Sequence, residues 1–332
     1  MTSAADSCRT PLVEAEGVSR AFRARQGLLG RRRDILAVRE VDLTVARREA
    51  VGVVGESGCG KSTLGRLLLH LLKPTAGTVR FDGRTLAEIG GDRLRTLRRR
   101  MQLIFQDPYG SLDPRRTVGD QIADGMLIHG LATPAEARER VAGLLSQVGL
   151  DPAHAARLPH EFSGGQRQRV AIARALATGP DFVVADEPVS ALDVSIQAQV
   201  VNLLADLRES LGLALVFISH DLHVVRHLCD RVAVMYLGRV VETGPAAAIF
   251  AAPAHPYTRA LLAATPSLVR RRDSSRAPLA GELPSPSDPP SGCGFRTRCP
   301  FATTACAEAV PPLEAFGGDG RQVACVRVAE IG

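Results

Sequence analysis

Residues 55–63 read Gly-Glu-Ser-Gly-Cys-Gly-Lys-Ser-Thr, and this run restricts the fold more than any other part of the chain. Before it stands Ala50-Val-Gly-Val-Val54, a short apolar run suited to a buried parallel strand. After it, Leu64, Leu67, Leu68 and Leu71 recur at helical spacing. Strand, glycine-rich loop and helix in that order make a phosphate-binding loop. The glycines let backbone N–H groups turn toward phosphate oxygens, and the helix N-terminus adds its partial positive charge. Lys61 is placed to reach β- and γ-phosphates and Ser62 to offer its hydroxyl to Mg²⁺. Gly55, Glu56, Ser57, Gly58, Cys59, Gly60 and Thr63 complete the expected nucleotide cradle. Only Lys61 and Lys73 are lysines among 41 basic residues, so a lysine kept here stands out from an arginine background. Cys59, among backbone N–H groups at a helix start, is expected to favour thiolate.

Phe182-Val-Val-Ala185 is a second buried-strand run, and it ends in Asp186-Glu187-Pro188. An acid at such a strand end can hold Mg²⁺, and the next one can orient or deprotonate a water that attacks the γ-phosphate. A third signal is Phe162-Ser163-Gly164-Gly165-Gln166 before Arg-Gln-Arg-Val-Ala-Ile-Ala-Arg-Ala-Leu. Ser163 is a plausible N-cap, and the two glycines leave the helix end open to an anion.

This third segment resembles the signature motif of the ABC ATPase family, where it caps the γ-phosphate of ATP held by a partner subunit. The family's other motifs follow in order. Gln106 matches the Q-loop glutamine that links Mg²⁺ and water to the membrane subunits. Ser190-Ala-Leu-Asp193 matches the D-loop, and His220 the switch histidine that contacts the γ-phosphate. Phe22 stands where the family places an aromatic that stacks on adenine. The resemblance covers residues 11 to about 265 and implies an ATPase, with Glu187, His220, Gln106 and Lys61 catalytic and Ser62, Gln106 and Asp186 around Mg²⁺. One departure is Arg48-Glu49 where the family has Gly-Glu, so the turn there is expected to be strained or reshaped.

The coarse pattern is β-rich to about residue 90, helical from Gly119 to Leu176, then alternating from Asp181 to Val241. Arg93–Arg100 reads as an amphipathic helix with Leu94, Leu97 and Met101 on its apolar side. The expected fold is therefore α/β: a RecA-like P-loop core, an antiparallel β part and an inserted helical subdomain. No apolar run reaches the ~18 residues of a membrane-spanning helix, and Met1–Thr10 has no apolar leader core, so a soluble cytosolic chain is expected. The net charge is +6, with seven arginines against Asp34 and Glu40 in residues 20–40. That stretch lacks the series of aromatics a base-stacking surface needs, so a solvated loop is expected and no nucleic acid partner.

Residues 266–292, rich in Pro, Ser and Arg, have linker composition and separate an ATPase domain (1–265) from a small Cys-rich extension (293–332). Cys293, Cys299, Cys306 and Cys325 follow a C-x₅-C-x₆-C-x₁₈-C spacing that differs from the paired C-x₂-C of zinc ribbons. With no export signal, the cluster argues for metal before disulfides: an iron–sulfur cluster, zinc or free thiols all stay open. With His255-Pro-Tyr-Thr258, this tail resembles the C-terminal extension of the oligopeptide/dipeptide/nickel importer ATPases. Gln106-Asp-Pro-Tyr-Gly-Ser-Leu-Asp-Pro-Arg115 is more similar to the second of their two paired ATPases. The resemblance implies ATP and Mg²⁺, a [4Fe–4S] cluster, and a paired ATPase subunit in a hetero- or homodimer. It also implies two transmembrane permease subunits, an extracytoplasmic solute-binding protein, and a peripheral place on the cytoplasmic face of the bacterial inner membrane. Import of peptides is the expected function; nickel or another small solute, or a soluble ABC role in DNA repair or translation, are the alternatives.

Overall fold

A computed structural model of the protein describes residues 11–25, 32–264 and 281–331. Met1–Thr10 with Cys8, residues 26–31 of the Arg-rich stretch, and residues 265–280 of the Pro/Ser-rich segment lie outside the described residues. Twelve strands are described: β1 (Pro11–Arg25), β2 (Arg32–Ala46), β3 (Ala50–Val54), β4 (Ala76–Phe81), β5 (Arg84–Thr85) and β6 (Met101–Ile104), then β7 (Phe182–Asp186), β8 (Ala214–Ser219), β9 (Arg231–Tyr236), β10 (Arg239–Pro245), β11 (Glu314–Phe316) and β12 (Arg321–Val323). The described residues form two compact units, one of residues 11–13, 44–50 and 80–218, the other of residues 14–25, 32–43, 51–79, 219–264 and 281–331.

In the first unit β6, β7 and β8 pair in parallel, with Met101 opposite Phe182 and Asp186 opposite Ile218. Every residue of β7 and β8 is buried, which is why both strands read as unbroken Val/Ala/Phe/Ile runs rather than as an alternation. The same unit holds the helices Val118–Ile128, Pro134–Gln147 and Gly164–Leu176, where helical spacing was expected. Val118, Ile122 and Met126 on the first, Val141 and Leu145 on the second, and Val170 and Ala173 on the third are buried. Thr133 and Ser163 begin the latter two with capping boxes; the Thr133 N–H donates to the Glu136 carboxylate at 2.7 Å. Arg93–Arg100 departs from expectation at its end. The helix is Gly91–Arg98, and Met101 starts β6 instead of extending the apolar stripe.

In the second unit β3 pairs in parallel with β9, and Val54 lies opposite Val234. β9 turns into β10 through Leu237-Gly238, both at positive φ, the two-residue turn that matches the twist of an antiparallel pair. β10 pairs next with β12, and β12 with β11, so strands from the Cys-rich tail extend the sheet that carries β3. Glu242 on β10 is fully buried and accepts the backbone N–H groups of Ala254 and His255 at 2.9 and 3.0 Å. His255 is buried too, and burial holds it down to about 3, so the imidazole is neutral; its Nδ1 accepts the Tyr257 N–H at 3.0 Å.

The Arg48-Glu49 turn keeps the geometry that suits glycine. Arg48 has φ +64°, the left-handed region, while Glu49 Oε2 accepts the Ala46 N–H at 2.7 Å and closes the turn. The strain expected from the sequence is therefore real, and its side chain is exposed. A left-handed L-residue costs ~1–2 kcal/mol, and glycine's extra unfolded-state freedom returns about 0.4–1 kcal/mol of that. Arg48→Gly is expected to raise stability by about 0.5–1 kcal/mol, read as a higher urea midpoint at unchanged slope.

Candidate functional site

In the second unit the loop after β3 has the backbone its glycines require. Gly55, Gly58 and Gly60 lie at φ +151°, +82° and +106°. A Cβ on Gly55 would fall 2.2 Å from the Met235 carbonyl oxygen, and one on Gly60 2.1 Å from that of Ala37, so both approaches exclude any side chain. At Gly58 nothing lies within 4 Å, and Ser57 and Gly58 are exposed, so the loop is open on that side. The helix Lys61–Leu68 starts directly behind, with Ser62 and Thr63 half-buried in its first turn. Lys61 is 4% exposed, and its Nζ donates to the carbonyls of Gly55 at 2.8 Å and Glu56 at 3.0 Å. An ammonium folded over a glycine-rich loop at a helix start is a suitable cradle for phosphate oxygens.

Cys59 corrects an expectation. Its side chain is completely buried, with Sγ 2.8 Å from the place a Gly55 Cβ would occupy. Burial pushes the thiol up, and the Lys61 charge opposes this without reversing it. The side chain turns inward, so Cys59 is a packing residue of the loop and not a thiolate.

Phe22 on β1 is 37% exposed, with the Arg20 guanidinium 4.9 Å over its ring, so it is a surface aromatic. His220 follows β8 and is exposed. Asp221 next to it caps the helix Leu222–Leu228, accepting the His223 N–H at 2.8 Å.

The first unit brings Gln106 and Glu187 together. Asp186 ends β7 and is buried. Glu187 turns sharply at φ +44° and donates its N–H to the Ile218 carbonyl at 3.0 Å. Its Oε2 accepts a hydrogen bond from Gln106 Nε2 at 3.2 Å. A left-handed, non-glycine residue held by a neighbouring strand is a common mark of a functional position. Ser163 is exposed at the N-terminus of Gly164–Leu176; its Oγ accepts the Gln166 N–H, and Gln166 Oε1 accepts the Ser163 N–H at 3.0 Å. Gly165 is buried, and a Cβ there would fall 2.4 Å from Ile196 Cγ2; one on Gly164 would meet Leu192 at 3.4 Å. The signature glycines thus let that helix end approach the D-loop, whose Asp193 is exposed and begins the helix Val194–Leu211.

Cys293, Cys299, Cys306 and Cys325 line one small cavity in the second unit, together with His255 and Phe295. The Cys293 N–H donates to the Cys306 carbonyl at 2.8 Å. Burial pushes up the thiols of Cys293 and Cys325, and that of Cys299 to about 11. Among the described residues, no three or more His, Cys, Asp or Glu side chains stand ready to hold a single metal ion.

The sequence did not single out the surroundings of Glu56. Arg298 Nη1 and Nη2 donate to Glu56 Oε2 at 2.6 Å and Oε1 at 3.0 Å, and the Glu56 N–H donates to the Tyr257 hydroxyl at 2.8 Å. Tyr257 belongs to the His255–Thr258 run that sequence reading had marked. No local pattern marks Arg298, because its partner stands 242 residues away.

Comparison with known proteins agrees with this arrangement. The ABC transporter family profile matches residues 38–190, and the oligopeptide/dipeptide transporter C-terminal region matches residues 241–306. A Brucella ovis protein, provisionally named for peptide import, is 52% identical over 96% of this chain and 98% of its own length. The dipeptide transport ATP-binding protein DppF of Haemophilus influenzae is 47% identical over 96% and 97%. The oligopeptide transport ATP-binding protein AppF of Bacillus subtilis is 49% identical over 91% and 93%. Among solved structures, the dimeric ATP-binding cassette MJ0796 with ADP and Pi superposes at TM-score 0.63 and 31% identity, covering 70% of this chain and 98% of that one. CbiO1 of Clostridium perfringens gives 0.62 and 28%, covering 73% and 91%. The expected α/β cassette is thus the observed fold, and relatives at about half identity align with nearly the whole chain. The chain belongs to the ABC transporter family of ATPases, in the branch that bears the oligopeptide/dipeptide transporter C-terminal region.

Proposed function

We propose that this ATPase powers the import of peptides as the nucleotide-binding subunit of a membrane transporter. The observation that carries the hydrolytic part is the Gln106–Glu187 hydrogen bond beside buried Asp186. The peptide assignment is supported by the C-terminal region match and by relatives named for dipeptide and oligopeptide transport. Lys61 and the loop Gly55–Thr63 hold the phosphates, and Phe22 offers its ring to adenine. Ser62, Gln106 and Asp186 would hold Mg²⁺, which neutralises charge on the β- and γ-phosphates when bound. Glu187 takes the proton from the attacking water while Gln106 orients its carboxylate, and His220 contacts the γ-phosphate.

Ser163, Gly164, Gly165, Gln166 and Asp193 act on the nucleotide of a paired ATPase subunit. The exposure of Ser163, Ala191 and Asp193, and of Val194 at 81%, supports a face that a partner covers. The assembly contains two permease subunits and an external solute-binding protein, and the chain sits peripherally on the cytoplasmic face of the inner membrane. No helix among the described residues is long and apolar enough to cross a membrane, so the permeases supply the path.

The four tail cysteines are assigned as ligands of a [4Fe–4S] cluster. Their common cavity supports this. The cluster would supply folding energy to a tail poor in large apolar residues.

Glu187→Gln should bind MgATP normally and hydrolyse it ~10²–10⁴-fold more slowly, measured as phosphate release and labelled-peptide uptake by the reconstituted transporter. Near-normal turnover removes Glu187 from this role, and normal ATP-driven uptake of another solute with no peptide uptake removes the peptide assignment. Gly164→Asp places a negative charge at a helix start meant for phosphate. The isolated chain should keep its ATP affinity while nucleotide-dependent pairing, followed by light scattering, is lost; lost affinity in the monomer contradicts the pairing role. Anaerobically purified protein should be brown, absorbing near ~400 nm, and Cys299→Ser with Cys306→Ser should bleach it. Colourless protein with stoichiometric zinc, or with no metal, overturns the cluster.

A further inference from the structure

The Cys-rich tail reaches the phosphate-binding loop through one side chain. Arg298 lies between Phe295 and Cys299 on a tight turn, where the Arg298 N–H donates to the Phe295 carbonyl at 2.9 Å. Its side chain is 5% exposed, and its guanidinium grips both carboxylate oxygens of Glu56, the second residue of the loop. Such a two-pronged, charge-assisted contact fixes orientation as well as distance. The turn is anchored by three packed rings. Phe295 meets Tyr236 edge-on at 5.3 Å and Tyr257 at 5.4 Å, and Tyr236 and Tyr257 lie 4.6 Å apart. The Tyr257 hydroxyl accepts the Glu56 N–H from below, so Glu56 is held at its backbone and at its side chain by residues far along the chain.

Glu56 in turn touches the phosphate machinery, since its carbonyl accepts from Lys61 Nζ at 3.0 Å. Glu56 also places a negative charge in a loop whose proposed ligand is a triphosphate. Without a partner, that half-buried carboxylate would repel the ligand and be free to draw Lys61 toward itself.

We propose that Arg298 is a positioning residue for the phosphate-binding loop: it neutralises and orients Glu56, and so makes nucleotide affinity depend on the fold of the Cys-rich tail. This rests on the reading of Gly55–Thr63 as the ATP site. The contact has two separable effects, one of charge and one of geometry, and the variants divide them. Arg298→Met removes both. Arg298→Lys keeps the charge and loses the fork. Glu56→Gln removes the carboxylate that Arg298 serves.

The test is titration of a fluorescent ATP analogue with Mg²⁺ against the full chain, with thermal melting of each variant as a control. Arg298→Met should weaken binding about tenfold, the scale of a lost hydrogen-bonded charge contact, and Arg298→Lys about threefold. In a Glu56→Gln background, Arg298→Met should weaken binding less than about twofold, because no carboxylate remains to be held. Equal weakening in both backgrounds would show a merely structural role and overturn the proposal, as would unchanged affinity in Arg298→Met. If Arg298→Met does not fold, Arg298→Lys with and without Glu56→Gln decides by the same comparison. Lys61→Ala separates the two readings. Retained binding in that variant sinks the ATP-site assignment itself, whereas its loss beside an unaffected Arg298→Met sinks only the tail-to-loop coupling.

Discussion

Two carbonyl oxygens set the shape of the nucleotide loop. Those of Met235 and Ala37 come so close to Gly55 and Gly60 that a single methyl group at either place would collide with backbone. Backbone cannot retreat as a flexible side chain can, so the loop follows one course. Cys59 is driven inward by the same turn, and Lys61 is folded back onto the carbonyls of Gly55 and Glu56. Anion affinity in such a loop comes from geometry fixed before the ligand arrives, which limits the ordering that binding must impose.

The second half of the chemistry depends on strand register. Because Asp186 lies opposite Ile218, β7 ends where β8 can still accept the Glu187 N–H, and this bond holds Glu187 at a positive φ. A shift of one residue would turn Asp186 to the other face of the sheet. The uniformly buried strands make such a slip costly, since every apolar side chain would move with it. Precision at the acids therefore derives from the packing of Val, Ala and Phe behind them.

The strands before Gly55 and Glu187 and the helix after Ser163 were legible because each is carried by contiguous residues with a physical period. Ala50–Val54 and Phe182–Ala185 are unbroken apolar runs, and Ser163 stands three residues before Gln166 as a capping box requires. What was hidden depends on direction or on distance. The sequence places Cys59 at a helix start but does not say that its side chain points inward, and burial outweighs the helix end there. Arg48 read as a departure, and only its backbone angle shows that the turn kept a glycine conformation. Arg298 drew no reading from the sequence, because Glu56, 242 positions earlier, gives no local clue. Met101 was misassigned to a helix since a short apolar stripe fits either period until the strand partner is known.

The pairing of β12 with β10 has a consequence for the order in which the protein can be completed. Val323 and Gln322 cover β10 beside Glu242 and Thr243, far along the chain from it. Until those residues leave the ribosome, β10 presents an open row of backbone donors and acceptors to any passing strand. A cassette with a finished phosphate loop is therefore still an unfinished surface during synthesis. The β11–β12 pair acts as a folding seal, and a chain that stops before it would expose that edge to self-association.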